Sequence, residues 1–250
     1  ERNVAVGLDS LRLNTTGSNN IALGYQALIS NTQSSIIAIG SCAGHSNTTG
    51  AQNTVLGNFA LRDNTTGNFN IAIGNLALDK NTTGLNNVAI GYQANTSAVT
   101  AINVTAIGCR ALANNLTSSH VAIGSNALLA NTTGVSNIGI GVASLSCNTT
   151  GGCNIAIGGN ALKQNTTGCH NIGIGAQSLE KQTTASNNVA VGKDALKTNT
   201  TGAGNIGIGF RAVDANTTGT RNVGIGLDAL GSNTTANDNT AVGYAALFSN

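Results

Sequence analysis

Thiols, imidazoles and carboxylates are scarce in this chain of 250 residues: five Cys, three His and nine Asp or Glu. The cysteines are Cys42, Cys109, Cys147, Cys153 and Cys169, an odd number that leaves at least one thiol free or joined to another chain. Cys147, Cys153, Cys169 and His170 offer the ligand types of a zinc centre, but at a spacing that matches no standard zinc pattern. His45, His120 and His170 are scattered. The acidic residues occur singly. Asp9, Asp194 and Asp228 recur two residues after a glycine, which places them on one edge, read here as solvated. Gly-x-Gly strings such as Gly139-Ile140-Gly141 lack the following helix that a phosphate loop needs. No nucleophile, base and orienting group fall together. The expectation is a non-enzyme with no catalytic residue, no metal site and no cofactor.

The commonest chemical motif is the acceptor sequence for N-linked glycans. Asn-Thr-Thr begins at Asn14, Asn47, Asn64, Asn81, Asn131, Asn148, Asn165, Asn199, Asn216 and Asn233, and Asn95, Asn103 and Asn115 head three further acceptor sequences. Two readings stand side by side. The asparagines carry sugars if the chain is exported along a glycosylating route, or they stack into hydrogen-bonded ladders of identical side chains, as in cross-β assemblies.

These residues are carried by a repeat. An apolar-Ala/Gly-apolar-Gly pattern returns with its glycine at Gly7, Gly24, Gly40, Gly57, Gly74, Gly91, Gly108, Gly124, Gly141, Gly158, Gly175, Gly192, Gly209, Gly226 and Gly243. Of the fourteen intervals, twelve are 17 residues and two are 16. Residues 154–170 give the unit clearly: NIAIGGNALKQNTTGCH. The period is too short for helical or leucine-rich repeats and suits one turn of a β-solenoid. The β-branched alternating segment reads as a strand at 4–6, 21–23, 71–73, 155–157 and equivalents. The glycine makes a bend, Ala-Leu begins a second extended piece, and Asn-Thr-Thr-Gly closes the coil with turn-forming residues. Both short coils lose their residue in that turn, at Asn31–Ser35 and Asn115–Ser119, as a loop on a fixed scaffold should. At the ordinary strand spacing of about 4.8 Å, fifteen coils make a rod roughly 70 Å long. The predicted fold is all-β: a single continuous parallel β-solenoid over 1–250 with essentially no helix.

The coil makes three further predictions. Leu at the fourth position after the glycine (Leu28, Leu61, Leu78, Leu112, Leu162, Leu196, Leu230) is the large apolar residue of the second segment and should be buried. Cys153 and Cys169 lie five and six residues before their glycines in adjacent coils, inside the usual Cα range of a disulfide. A bridge, unpaired thiols and a metal site all remain open. The strand is apolar or featureless on both faces: branched pairs such as Ile155 and Ile157 on one, Ala or Gly such as Ala156 on the other. One of these faces must look outward, and a continuous outward stripe predicts a partner along the rod.

Composition narrows the function classes. There are 33 Gly, no Pro, Met or Trp and seven aromatic residues, which fits a thin layered interior rather than a large globular core. Twenty charged residues give a net charge of +2, without a block suited to nucleic acid or an anionic membrane. No apolar run approaches the about 20 residues of a membrane span. Glu1 begins inside a repeat, so any targeting segment is expected outside the sequence.

The Asn-x-Ala-Ile-Gly element, with a small residue three positions on (Ala161 after Gly158, Ala195 after Gly192), resembles the head repeats of YadA-like trimeric autotransporter adhesins. It is equally similar to the NTTG-rich β-roll repeats of some phage and viral tail-fibre proteins. The resemblance covers the entire chain. It implies a left-handed parallel β-roll, commonly three chains side by side, displayed on a cell or virion surface for adhesion to a host receptor or glycan. The adhesin heads use a shorter repeat of about 14 residues, so the Asn-Thr-Thr-Gly material is an addition to every turn.

The function expected is therefore a structural repeat of an extracellular or surface fibre, self-assembling laterally, end to end, or both. The alternative is an ice-binding β-solenoid presenting ranks of Thr. Against it, adjacent threonines point to opposite faces of an extended chain. Asn250 stops at the Asn of the closing turn and Glu1 resumes just after it. Neither end carries a residue that blunts an edge strand, so repeats or further subunits are expected to continue through both.

Overall fold

The computed structural model describes residues 2–249; Glu1 and Asn250, on which the expected complementary phase of the two ends rests, lie outside them. Every regular element is a three-residue strand, and no helix occurs among the described residues. The chain divides into two compact units, Glu1–Ala122 and Ile123–Asn250. The first holds β1 (Val4–Val6), β2 (Ile21–Leu23), β3 (Ile37–Ile39), β4 (Thr54–Leu56), β5 (Ile71–Ile73), β6 (Val88–Ile90) and β7 (Thr105–Ile107). Each of these pairs in parallel with the next. β8 (Val121–Ile123) spans the boundary. The second unit holds β9 (Ile138–Ile140), β10 (Ile155–Ile157), β11 (Ile172–Ile174), β12 (Val189–Val191), β13 (Ile206–Ile208), β14 (Val223–Ile225) and β15 (Thr240–Val242), again paired consecutively in parallel. Register is exact to the repeat: Ile155 faces Ile172, Ala156 faces Gly173, Ile157 faces Ile174. Each unit is a parallel β-solenoid with one strand per coil.

Backbone bonding between coils continues all the way round. In the coil of β10, Ile155 N–H donates to Asn171 O at 2.8 Å, Leu162 N–H to Ser178 O at 2.9 Å, Gln164 N–H to Glu180 O at 3.0 Å and Thr166 N–H to Thr183 O at 2.7 Å. Strand pairing is thus one side of a complete axial ladder, which satisfies backbone groups that a short strand alone would strand in the interior.

Three corners shape each coil. At the glycine after β10, Gly158 has φ +135°, and a Cβ there would stand 2.6 Å from the carbonyl group of Gly175 in the next coil. Only glycine fits both demands. Two residues on, Asn160 has φ +59°, Leu162 has φ +50°, and His170 closes the circuit at φ +58°. Asn and His tolerate this left-handed region, but Leu rarely enters it. Leu162 is held there because it is fully buried, as are Leu28, Leu61, Leu78, Leu112, Leu196 and Leu230. Burying a leucine contributes about 1.5–3 kcal/mol, enough to offset a left-handed residue costing about 1–2 kcal/mol.

The interior is consequently thin. The central strand residue points inward beside those leucines, and at the coils where Ser144 and Ser178 are the third residue after the glycine the strand centre is Gly. A Cβ on Gly173 would meet Ser178 Oγ at 3.0 Å and Leu162 Cγ at 3.4 Å. The Ser144 and Ser178 hydroxyls donate back to Gly141 O and Gly175 O at 3.0 and 2.9 Å.

Candidate functional site

Since the strand centre faces inward, its two branched neighbours face out. Ala22, Ala38, Ala72, Ala89 and Ala156 are fully buried, whereas Ile39, Ile157 and Ile174 are 37–38% exposed despite flanking strands on either side. In each unit this lays down two columns of Ile, Val or Leu, broken only by Thr54, Thr105 and Thr240. The residue after the glycine adds a third, mixed column in which Tyr25, Tyr92, Val142, Phe210 and Leu227 are exposed. This apolar ribbon is the strongest candidate site in the molecule.

Charge is segregated away from the two strand columns. Sixteen of the twenty charged residues occupy the six positions after the repeat glycine, the exceptions being Glu1, Arg2, Arg221 and Asp238; none lies on a strand or in an Asn-Thr-Thr turn. Many are paired along the axis. Arg211 Nε and Nη2 grip Asp228 at 2.7 Å each, and Arg221 Nη2 reaches Asp238 Oδ2 at 2.9 Å across one coil. Arg62 contacts Asp63 at 2.9 Å and Asp79 at 3.2 Å, with Lys80 3.4 Å from Asp63. Burial pushes the carboxyls of Asp79 and Asp214 above the usual aspartate range, against the opposing pull of Arg62 and Arg211 respectively. Burial acts in the same sense on Asp63, but Arg62 and Lys80 outweigh it and hold that carboxyl low. The recurring Asp9, Asp194 and Asp228 each have a cation beside them: Arg12 at 3.4 Å, Lys197 at 3.0 Å and Arg211.

The asparagines of the turns do not present themselves for glycans. Asn47, Asn64, Asn81, Asn131, Asn148, Asn165, Asn199, Asn216 and Asn233 are buried, and Asn14 is half-buried. Asn64 Nδ2 donates to Asn47 Oδ1 in the preceding coil at 2.6 Å and to Gly67 O of its own turn at 3.0 Å. Asn165 does the same with Asn148 Oδ1 and Gly168 O, at 2.8 and 3.0 Å. A glycan on Nδ2 of these buried asparagines would have to break those hydrogen bonds. Asn95 and Asn115 are also buried; Asn103 alone of the thirteen is exposed. A second ladder, one residue before the strand in every coil but those of Ile36, Val104 and His120, has Asn70 N–H donating to Asn53 Oδ1 at 2.8 Å and Asn70 Nδ2 to Gly84 O at 2.9 Å.

The first Thr of the turn is committed as well. Thr65, Thr149 and Thr166 donate their hydroxyls to the carbonyl of the next coil's first Thr at 3.0–3.1 Å. The second Thr is exposed, as at Thr66, Thr150 and Thr167, so each unit presents a single rank of outward Thr.

All five cysteines are free. Of the three readings left open for Cys153 and Cys169, the structure shows unpaired thiols: Gly152 N–H donates to Cys169 Sγ at 3.4 Å and His170 N–H donates to Gly152 O at 3.1 Å, which sets Cys169 beside Gly152 and Cys153 beside His170. Cys153 is exposed and Cys169 half-buried. Cys42, Cys109 and Cys147 sit in other columns. His120 is buried, with Nε2 2.9 Å from Thr117 Oγ1. Among the described residues no three His, Cys, Asp or Glu side chains converge as metal ligands, and no surface pocket opens.

Sequence reasoning did not separate the ribbon from the interior and missed the charge segregation, although the latter was visible by aligning charges on the glycine. Comparison of the chain with protein-family models and with curated proteins finds no match.

Proposed function

We propose that this chain is a non-catalytic structural repeat of an extracellular or surface fibre, and that copies associate laterally through the apolar ribbon. The observation that carries the reading is the pairing of a charge-free apolar strand face with a second segment holding nearly all the charge. Such an arrangement gives a protein one side to bury and one side to keep wet. Seven strands at about 4.8 Å and two columns about 7 Å apart make a ribbon of roughly 240 Å² per unit. A stable interface takes about 800 Å² from each partner. One unit falls short, and a long array exceeds it, so attachment strengthens with coil number, a property suited to a fibre. The resemblance to surface adhesin heads and tail-fibre repeats supports an exposed location and leaves adhesion to other surfaces as a role of the same fibre. A single outward Thr rank gives the ice-binding alternative little support.

Sedimentation of the chain beside an Ile157→Lys/Ile174→Lys variant tests the reading. The parent should assemble with rising concentration, and the variant should remain monomeric with an unchanged circular dichroism spectrum. A parent that stays monomeric at high concentration, or a variant that assembles equally, refutes it.

A further inference from the structure

One rung of the turn ladder in the first unit is not an asparagine. Asn47, Asn64 and Asn81 pass a hydrogen bond from coil to coil, each side-chain N–H₂ donating backward to the previous Oδ1 and sideways to its own turn carbonyl. The next rung is Ala98, fully buried. An asparagine there would donate to Asn81 Oδ1 and to Ala101 O, and would accept from Asn115 Nδ2.

Only the last of these three functions is replaced by the chain. In the same coil the buried Leu position is occupied by Asn95, at φ +48°. Asn115 Nδ2 donates to Asn95 Oδ1 at 3.3 Å and to Thr117 O at 2.6 Å. That bond fixes the orientation of the Asn95 amide, since oxygen must face the donor. Two buried polar atoms are then left without a partner in the protein: Asn81 Oδ1, an acceptor, and Asn95 Nδ2, a donor. Ala101 O accepts from Asn87 Nδ2 at 2.7 Å and retains a second lone pair.

We propose that an ordered internal water molecule binds at Ala98 and stands in for the missing side-chain amide nitrogen. It donates to Asn81 Oδ1 and Ala101 O and accepts from Asn95 Nδ2. Three protein partners is the usual number for a buried water, and the carboxamide absent from alanine corresponds to about the 30 Å³ that one water takes up. No other small ligand fits as well: a cation would be repelled by the Asn95 N–H₂, an anion by the two carbonyl oxygens. The substitutions at 95 and 98 are thus one device, in which Asn95 serves the following coil directly and the preceding coil through water.

NMR of the labelled full-length chain tests this. Expected is a cross-peak between the Asn95 side-chain N–H₂ and a water resident for longer than nanoseconds. The Ala98→Asn variant, which restores the rung, should lose that cross-peak and unfold at a higher temperature than the parent. Ala98→Leu, which fills the space without hydrogen bonds, should unfold at a lower one. Absence of the cross-peak in the parent, its persistence in Ala98→Asn, or an Ala98→Leu variant as stable as the parent would each overturn the assignment.

Discussion

Two adjacent glycines make the sharpest test of the coil geometry. Gly158 has φ +135° and its added Cβ would lie 2.6 Å from the carbonyl carbon and oxygen of Gly175 and 2.9 Å from Ala176 N, all backbone atoms. Gly159, the next residue, has an ordinary φ and no atom within 4 Å of where a Cβ would go. Ala at 158 incurs a backbone strain of about 1–3 kcal/mol in a region reserved for glycine. Relieving the overlap to an ordinary 3.4 Å contact requires the coils to part by about 0.8 Å. That stretches the flanking bond from Gly175 N–H to Ile157 O, now 2.7 Å, to the limit of hydrogen bonding. Losing one or two such bonds costs about 1 kcal/mol each, so Gly158→Ala should destabilise by roughly 2–5 kcal/mol. Gly159→Ala should stabilise by about 0.4–1 kcal/mol, because it restricts only the unfolded chain. Thermal unfolding followed by circular dichroism should separate the two variants by roughly 10–20 °C. If Gly158→Ala melts with the parent, the glycine column is not set by contact between coils. If Gly159→Ala falls equally far, the position of the corner has been misplaced.

Leu162→Ala should cost about 2–4 kcal/mol in chemical denaturation, since the leucine is fully buried between coils; a loss below about 1 kcal/mol would mean that the thin interior collapses to fill the gap. The raised carboxyls of Asp79 and Asp214 bind their protons more tightly folded than unfolded. Their contribution is therefore fullest below the ordinary aspartate range near about 4 and fades as pH rises through the raised folded values. Unfolding midpoints should increase as pH falls from 7 toward that range, and Asp79→Asn with Asp214→Asn should flatten the slope; an unchanged slope in the double variant would assign it elsewhere. Below that range the order reverses, because the low-held Asp63 loses its contribution on protonation. Thiol labelling of the native chain should find five free cysteines, with Cys109, Cys147 and Cys153 reacting before the half-buried Cys42 and Cys169. A Cys153–Cys169 peptide recovered by mass spectrometry without added oxidant would contradict the free-thiol state.

Strand positions, coil length and the buried leucines were legible because glycine can be replaced at the corner by nothing else, so the repeat marks the fold directly. The facing of the strand was not. Ile155, Ala156 and Ile157 are apolar on both sides, and the choice depends on how closely the second segment approaches, a distance set by Leu162 and Ser178 rather than by any pattern in the strand. The asparagines left two readings level for a related reason: the acceptor sequence and the ladder have identical residues, and it is the bonds to buried turn carbonyls, such as Gly67 O, that reveal the ladder. The cysteine pair was legible in position, five and six residues before successive glycines, but spacing alone left pairing open.

The all-round axial ladder has a mechanical meaning. Bonds such as Ile155 N–H to Asn171 O and Thr166 N–H to Thr183 O run along the stacking direction, so a pull on the two ends of either unit loads successive coils in series. Force then opens the weakest terminal coil first instead of shearing a whole sheet. Each 17-residue coil released gives up about 4.8 Å of stacked height and yields roughly 58 Å of extended chain. A stretched array would lengthen in equal steps, dissipating work coil by coil and re-stacking when the load falls. Such a strand behaves less like a rigid rod than like a spring with a built-in force limit.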